Sequence, residues 1–337
     1  MLPSTTDTVV FTDKEQAELR PLPLRAPAAG EVLIRTTWTL ISTGTETICY
    51  GRRFLPGTHW DKWVKYPFST GYSHVGVIEA VGSGVQNFKP GDRVASTQGH
   101  QQFTLAAASA VYPIPDGVDD RDAAWMTLSY IVQNGVRRGS HELGEDYVIV
   151  GLGPLGQLAT QFVNLLGARE IIAVDPVQSR LDMAKAHGAT QGLALNVDDI
   201  LPHVEKFTNG RLADNVYDMT GNDKVFASAQ KLLRKLGKLV LIGDTGSPSG
   251  QHLTGEIISR SLQIIASHAT NTPPEDTVYA HWTRGNMIAL FFQYLKTGRM
   301  RVSDLNTHVF KPSECQTAYQ KLLHDRAGTM GCHFKWS

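Results

Sequence analysis

The spacing of apolar residues changes character along this chain. Up to about residue 120, apolar positions come in short β-branched runs separated by turns. Residues 32–37, 76–81 and 93–96 read as strands, the last entered through the turn Pro90-Gly91-Asp92. Over residues 123–138 the spacing becomes helical, and from residue 147 strands and helices alternate. Strands are expected at 147–150, 171–174, 215–219, 238–243 and 262–267. Helices are expected after residue 153, around 181–187 and over 225–236, where leucines recur on one face. Alternation of this kind predicts a parallel sheet with right-handed crossovers. The tail returns to a mixed pattern, with helices at 288–297 and 313–324 and a strand near 308–310. The expected fold is therefore α/β. A β-rich domain (residues 1–134 and 269–337) is interrupted by a doubly wound parallel-sheet domain (residues 135–268), and the tail folds back onto the first part.

The run YVIVGLGPLGQLATQFVNLLGAREIIAVD, residues 147–175, carries the first chemistry. A strand feeds Gly151, Gly153 and Gly156, a helix follows, and a second strand ends on Asp175. Such a turn suits a dinucleotide. Gly151 permits the tight bend, Gly153 admits backbone to a pyrophosphate, and Gly156 lets helix and strand pack closely. Pro154 and Leu155 open the helix whose N-terminus attracts the anion. Asp175, about twenty residues beyond the first glycine, suits the adenosine ribose hydroxyls and repels a 2′-phosphate, so NAD is expected, with NADP the alternative. Arg180 lies close enough in sequence to weaken that preference.

Composition narrows the partners. The 337 residues exceed what one core usually serves, and 32 basic residues balance 32 acidic ones. Neither a nucleic-acid surface nor an acidic tail is indicated. Cys49, Cys315 and Cys332 are widely separated and form no CxxC pair, which argues against a disulfide framework and a cysteine-rich zinc lobe. No stretch has the length of a membrane span and no signal segment opens the chain. A cytoplasmic location is the expectation.

Residues 27–34 (PAAGEVLI), 41–46 (ISTGTE), 71–82 (GYSHVGVIEAVG), 90–94 (PGDRV), the GLGPLG turn, 218–221 (DMTG) and 237–243 (GKLVLIG) together resemble the medium-chain dehydrogenase/reductases. That family includes the zinc alcohol dehydrogenases. The resemblance implies a GroES-like catalytic domain, a Rossmann coenzyme domain and a small-molecule alcohol or ketone bound between them. It also implies that Thr220, Gly243, Ser267 and His268, at successive strand ends, line the coenzyme. Where zinc-dependent members hold the metal, this chain has Thr43, Tyr72 and a third position near Thr127. Hydroxyls are poor zinc donors, so no zinc is expected. The ISTGTE and GY segments resemble a zinc-free subset that includes bacteriochlorophyllide a dehydrogenase, although Ser73 stands where such members often carry glutamate.

Without the metal, an organic group must handle the alcohol proton. Tyr72 is the first candidate, although a phenol titrates near ~10. Thr45 matches the hydroxyl relay position of the family. Glu46 follows it, either catalytic or holding the turn. His74 falls on the face of Tyr72 by strand periodicity and carries an imidazole suited to proton transfer. Trp60 and Trp63 offer stacking surfaces in an aromatic loop, and His100 is expected near the substrate. A polyol, sugar or cyclitol-like secondary alcohol is the expected substrate. The alternatives are an NADPH-dependent enone or quinone reductase and a dinucleotide-binding protein without catalysis. Residues 262–267 would leave an exposed sheet edge in a monomer, so a homodimer is expected.

Overall fold

The computed structural model describes residues 2–337. The chain divides into two compact units. One comprises the chain up to Thr127 together with Ile288–Ser337, and the other is Leu128–Met287.

The first unit is built on strands. Its larger sheet has seven, in the order Asn306–Phe310, Gly331–Lys335, Glu31–Ile41, His74–Val81, Arg93–Ser96 and Val111–Pro113, with Phe103–Ala107 also pairing to Glu31–Ile41. Glu31–Ile41 is the organiser because its eleven residues pair with three neighbours. Register shifts at Leu33/Ile34 and Thr36/Trp38 bend it so that both ends find partners. A second sheet joins Gln16–Pro23, Thr5–Asp13 and Phe68–Ser69. Phe11, Tyr50, Trp60, Tyr319 and Phe334 fill a shared core with Cys49, Cys315 and Cys332, all three thiols being buried and free.

The second unit is a six-stranded, fully parallel sheet in the order Gln191–Leu193, Glu170–Val174, Asp146–Val150, Ala213–Asp218, Leu233–Leu241, Gln263–Ala266. All five residues of Asp146–Val150 are buried, as expected for a central parallel strand covered on both faces. Chain direction reverses its progress across the sheet between this strand and Ala213–Asp218. Ligands bind at such a switch point, outside the carboxyl ends of the strands.

The largest departure from the expected elements lies at residues 225–236. The helix covers Asp223–Lys231 only, and Leu233–Leu241 is already strand. Leu232 and Leu233 are buried against the sheet core, so the leucine spacing that imitates a helix face is shared between a helix end and a strand start. Leu236 has φ of 62° and 62 % exposure, marking an irregularity that the periodicity hides. Strands Thr5–Asp13 and Gly331–Lys335 also form where the pattern gave no separate signal. Among the described residues, no helix is long and apolar enough to cross a membrane.

Candidate functional site

In the second unit the glycine turn has the geometry a pyrophosphate needs. Gly151 adopts φ of 90°, which few other residues tolerate. A Cβ on Gly156 would lie 2.0 Å from the Gly151 carbonyl oxygen, so close packing explains that glycine. Gly153 is different. It caps the helix Pro154–Leu165 with an ordinary φ of −67°, and a Cβ there would meet nothing within 4 Å. Neither strain nor crowding within the protein calls for glycine there, and the space beside it is open. Pro154 occupies the first helical turn, where its missing N–H is harmless.

Asp175 is 4 % exposed at the end of the next strand. It accepts hydrogen bonds from the Leu152 and Val177 backbone N–H groups, each at 2.9 Å. Arg180 approaches the same carboxylate at 3.4 Å. The acid is thus fixed beside the glycine turn, with a guanidinium as its neighbour. Thr220 turns its hydroxyl back on Asp218 (2.6 Å) and its methyl toward Gly151. Gly243 packs against the backbone of Gly221, which leaves no room there for a side chain. Ser267 and His268 follow the last strand. These residues fit a nicotinamide dinucleotide laid over the carboxyl edge of the sheet.

In the first unit a buried carboxylate organises the ISTGTE turn. Glu46 is 1 % exposed and opens the helix Thr45–Gly51. Its Oε1 accepts the Ser42 backbone N–H at 2.7 Å. Its Oε2 accepts the Thr70 hydroxyl at 2.9 Å and the Tyr319 hydroxyl at 2.6 Å, with His100 Nε2 at 3.0 Å. Burial pushes the Glu46 pKa up. The His100 charge and the hydrogen bonds from His100, Tyr319 and Ser42 outweigh that, and the net shift is downward. Four segments distant in sequence therefore meet on one carboxylate. The Nδ1 of His100 is buried without a hydrogen-bond partner.

Next to this knot lies Tyr72. Its hydroxyl donates to Ser42 Oγ and lies within hydrogen-bonding reach of the Thr45 side chain. Burial raises the phenol pKa, and the bonds to Ser42 and Thr45 only partly offset it. Tyr72 is therefore a neutral donor at ordinary pH. The Thr127 hydroxyl donates to the Tyr72 carbonyl oxygen at 2.7 Å and holds that backbone in place. Thr43 is half-buried at the same turn, its carbonyl accepting the Thr47 hydroxyl.

The remaining expected positions lie elsewhere. His74 is fully buried in the sheet, with Nε2 2.9 Å from Thr36 Oγ1 and Nδ1 2.9 Å from Ser96 Oγ. Because Thr36 donates its hydroxyl proton to the Gln101 carbonyl, Nε2 carries the imidazole hydrogen and Ser96 donates to Nδ1. Burial lowers the pKa to about 3. Both ring nitrogens are thus occupied within the sheet, a geometry unlike that of a proton shuttle facing substrate. Trp60 is a core residue, whereas Trp63 is 51 % exposed and packs edge-on against Phe68. Ser42, Thr70 and Tyr319 were not legible as site residues, because only the folded contacts single them out.

Two family matches agree with this arrangement. Residues 28–116 match the alcohol dehydrogenase GroES-like domain, and residues 154–282 match the zinc-binding dehydrogenase family. The chain belongs to the medium-chain dehydrogenase/reductase superfamily. It is a mixed α/β oxidoreductase with a GroES-like domain and a dinucleotide-binding domain. Among its relatives, L-threonine 3-dehydrogenase of Chromobacterium violaceum is 24% identical, with 92% of this chain and 94% of the relative aligned. Sorbitol dehydrogenase of Bacillus subtilis is 25% identical, over 96% and 95% of the two chains. An alcohol dehydrogenase of Escherichia coli CFT073, solved in complex with NADH, superposes with a TM-score of 0.83 at 20% identity, covering 99% of this chain and 100% of the other.

Catalytic zinc, which parts of the family hold, does not fit the residues at the matching positions. Thr43, Tyr72 and Thr127 offer only neutral hydroxyls, and those of Tyr72 and Thr127 are already engaged with Ser42 and with backbone. Zinc is held by thiolate, imidazole or carboxylate. Of the groups that could rebuild a site, His74 is committed to Thr36 and Ser96, while Glu46 and His100 are committed to each other.

Proposed function

We propose that this enzyme is a zinc-independent, NAD-dependent dehydrogenase that interconverts a secondary alcohol, of polyol, sugar or cyclitol type, and its ketone. The observation that carries the reading is the Tyr72–Ser42–Thr45 hydroxyl cluster occupying the corner where related enzymes hold a metal. A nicotinamide dinucleotide, held by Gly151, Gly153, Gly156 and Asp175, would supply the hydride chemistry when bound. On substrate binding Tyr72, kept protonated by its surroundings, turns its one proton from Ser42 Oγ to the substrate oxygen and steadies negative charge there, while Ser42 donates in return to the phenol oxygen. In ketone reduction Tyr72 also delivers the proton, with Ser42 and Thr45 stabilising the phenolate left behind. In alcohol oxidation that phenolate, the minor form at neutral pH, takes up the alcohol's proton, so oxidation should quicken as pH rises. Glu46 and His100 serve by holding the Ser42–Thr45 turn, and His74 by tying together sheet strands. The sorbitol and threonine dehydrogenases among the relatives support hydroxyl-bearing substrates. Asp175, fixed by two backbone N–H groups, supports NAD over NADP. Exposed Ile264 on the outer strand Gln263–Ala266 supports a homodimer paired along that edge.

The test is a panel of polyols and cyclitols assayed by NADH formation, on protein whose zinc content and mass in solution are also measured. Alcohol-dependent NADH formation by metal-free dimer is expected. Loss of turnover on chelation would sink the zinc-free claim, and unchanged turnover in Tyr72→Phe would sink the part given to Tyr72. Activity confined to enones with NADPH would replace the reaction, binding without turnover would remove it, and a monomeric mass would remove the dimer.

A further inference from the structure

Asn134 lies in the helix Met126–Arg138 and is 6 % exposed. Its Nδ2 donates to Ser267 Oγ and to the His268 carbonyl oxygen, each at 3.2 Å. One side chain thereby uses both amide hydrogens to fasten the first two residues after the last strand of the parallel sheet. The neighbouring Gly135 brings the helix close to the same edge. A Cβ there would lie 2.4 Å from Ile242 Cδ1 and 3.6 Å from Ser267 Cβ. His268 is exposed, its ring bonds locally to Thr270, and its carbonyl also accepts the Asn271 N–H at 3.1 Å.

The order of the strands says which half of a dinucleotide this rim faces. Asp175 ends the strand on one side of the Gly151 turn. The strands ending near Asp218, Leu241 and Ala266 lie on the other side. With the pyrophosphate at the glycine turn and the adenosine ribose at Asp175, the other mononucleotide half runs over those three strand ends. Ser267 and His268 stand at the far limit of that path.

We infer that Asn134 is a positioning residue for the nicotinamide half of the coenzyme, acting through Ser267 and the His268 carbonyl. The inference rests on the dinucleotide-binding reading and assigns no contact between Asn134 and the coenzyme itself. It requires the two halves of the coenzyme to respond differently when the amide is changed. Asn134→Asp keeps the shape but turns a donor into an acceptor facing a carbonyl oxygen. Asn134→Ala removes both bonds with little steric change.

The experiment titrates NADH and ADP-ribose, which lacks the nicotinamide, into parent and variant full-length proteins and follows binding calorimetrically. Two hydrogen bonds of ordinary strength predict about tenfold weaker NADH binding in Asn134→Ala and a larger loss in Asn134→Asp. ADP-ribose affinity should stay within about twofold of the parent, because a bond to the rim does not touch the adenosine path. Equal weakening of both ligands would show a general loosening of the unit and overturn the inference, as would NADH binding unchanged in both variants. Failure of the parent protein to bind either ligand would overturn the dinucleotide reading itself. Should one variant fail to fold, the other reads the same comparison.

Discussion

Gly153 and Glu46 both stand at the start of a helix, for opposite reasons. Gly153 stands at the mouth of a helix with nothing near its absent side chain. Glu46 stands at the mouth of another helix with four donors crowded onto its carboxylate. The glycine turn withholds atoms and leaves open space at Gly153. The turn in the β-rich unit spends polar atoms on one another to hold a few hydroxyls in place. A position kept empty affects binding and leaves folding almost untouched, whereas a position kept full affects folding first.

Gly153→Asp gives that contrast its hardest test. Aspartate is among the best residues for a helix N-cap, so stability should hold or rise slightly. Its charge would then face a pyrophosphate at close range. At an effective dielectric of ~20 a like-charge contact costs about 4 kcal/mol, so NADH affinity should fall about a thousandfold. Gly156→Ala should do the reverse. Its Cβ meets backbone, so the unfolding free energy drops by about 1–3 kcal/mol with or without coenzyme. Denaturant melts and NADH titrations on both variants decide the matter. Equal loss of stability in the two would erase the distinction between space and packing.

Glu46→Gln tests the other side. The amide places a nitrogen among hydroxyl and imidazole donors, leaving one of them unpaired in a buried site. A stability loss of about 3 kcal/mol is expected at neutral pH. The sign with pH follows from the lowered carboxyl pKa. The stabilisation is complete above the unfolded carboxyl value of about 4.3 and disappears as pH falls through the folded value. NADH affinity should barely change, because the coenzyme turn belongs to the other unit. Denaturant melts that coincide with the parent would show the knot to be dispensable.

The same contrast explains what could be read before folding. Gly151, Gly153, Gly156 and Asp175 lie within one strand–turn–helix–strand unit, so local spacing announces them and the parallel sheet around them. Thr43, Tyr72 and Thr127 became visible only by resemblance, as positions where the expected metal donors were missing. The pairing of Glu46 with its distant partners was hidden. Thr70, His100 and Tyr319 lie 24, 54 and 273 residues away, and no periodicity connects them. Trp60 and His74 misled for a related reason: aromatic and imidazole groups serve cores as readily as sites, and only burial and bonding tell the uses apart. At residues 225–236 the leucine pattern was right about the burial of Leu232 and Leu233, wrong about that of Leu236 and wrong about geometry, since a helix end and a strand start share one apolar core.

His74 sharpens the comparison with the smallest effect. It is a polar group enclosed for architecture alone, and its influence should appear as a slope with pH. Burial lowers its folded pKa to about 3, against about 6.5 when unfolded. Between those values the unfolded chain binds a proton that the folded chain refuses. Stability therefore falls as pH drops below 6.5, by about 1.4 kcal/mol per unit from this residue. His333 is lowered to about 3 as well, by burial, so the parent's slope has more than one source and only a difference isolates His74. His74→Gln keeps a donor and an acceptor but cannot titrate. Its stability deficit relative to the parent should shrink by roughly 2 kcal/mol between pH 7 and pH 5. Denaturant melts at those two values measure it. A deficit that stays constant would mean that the imidazole already takes up its proton in the folded protein.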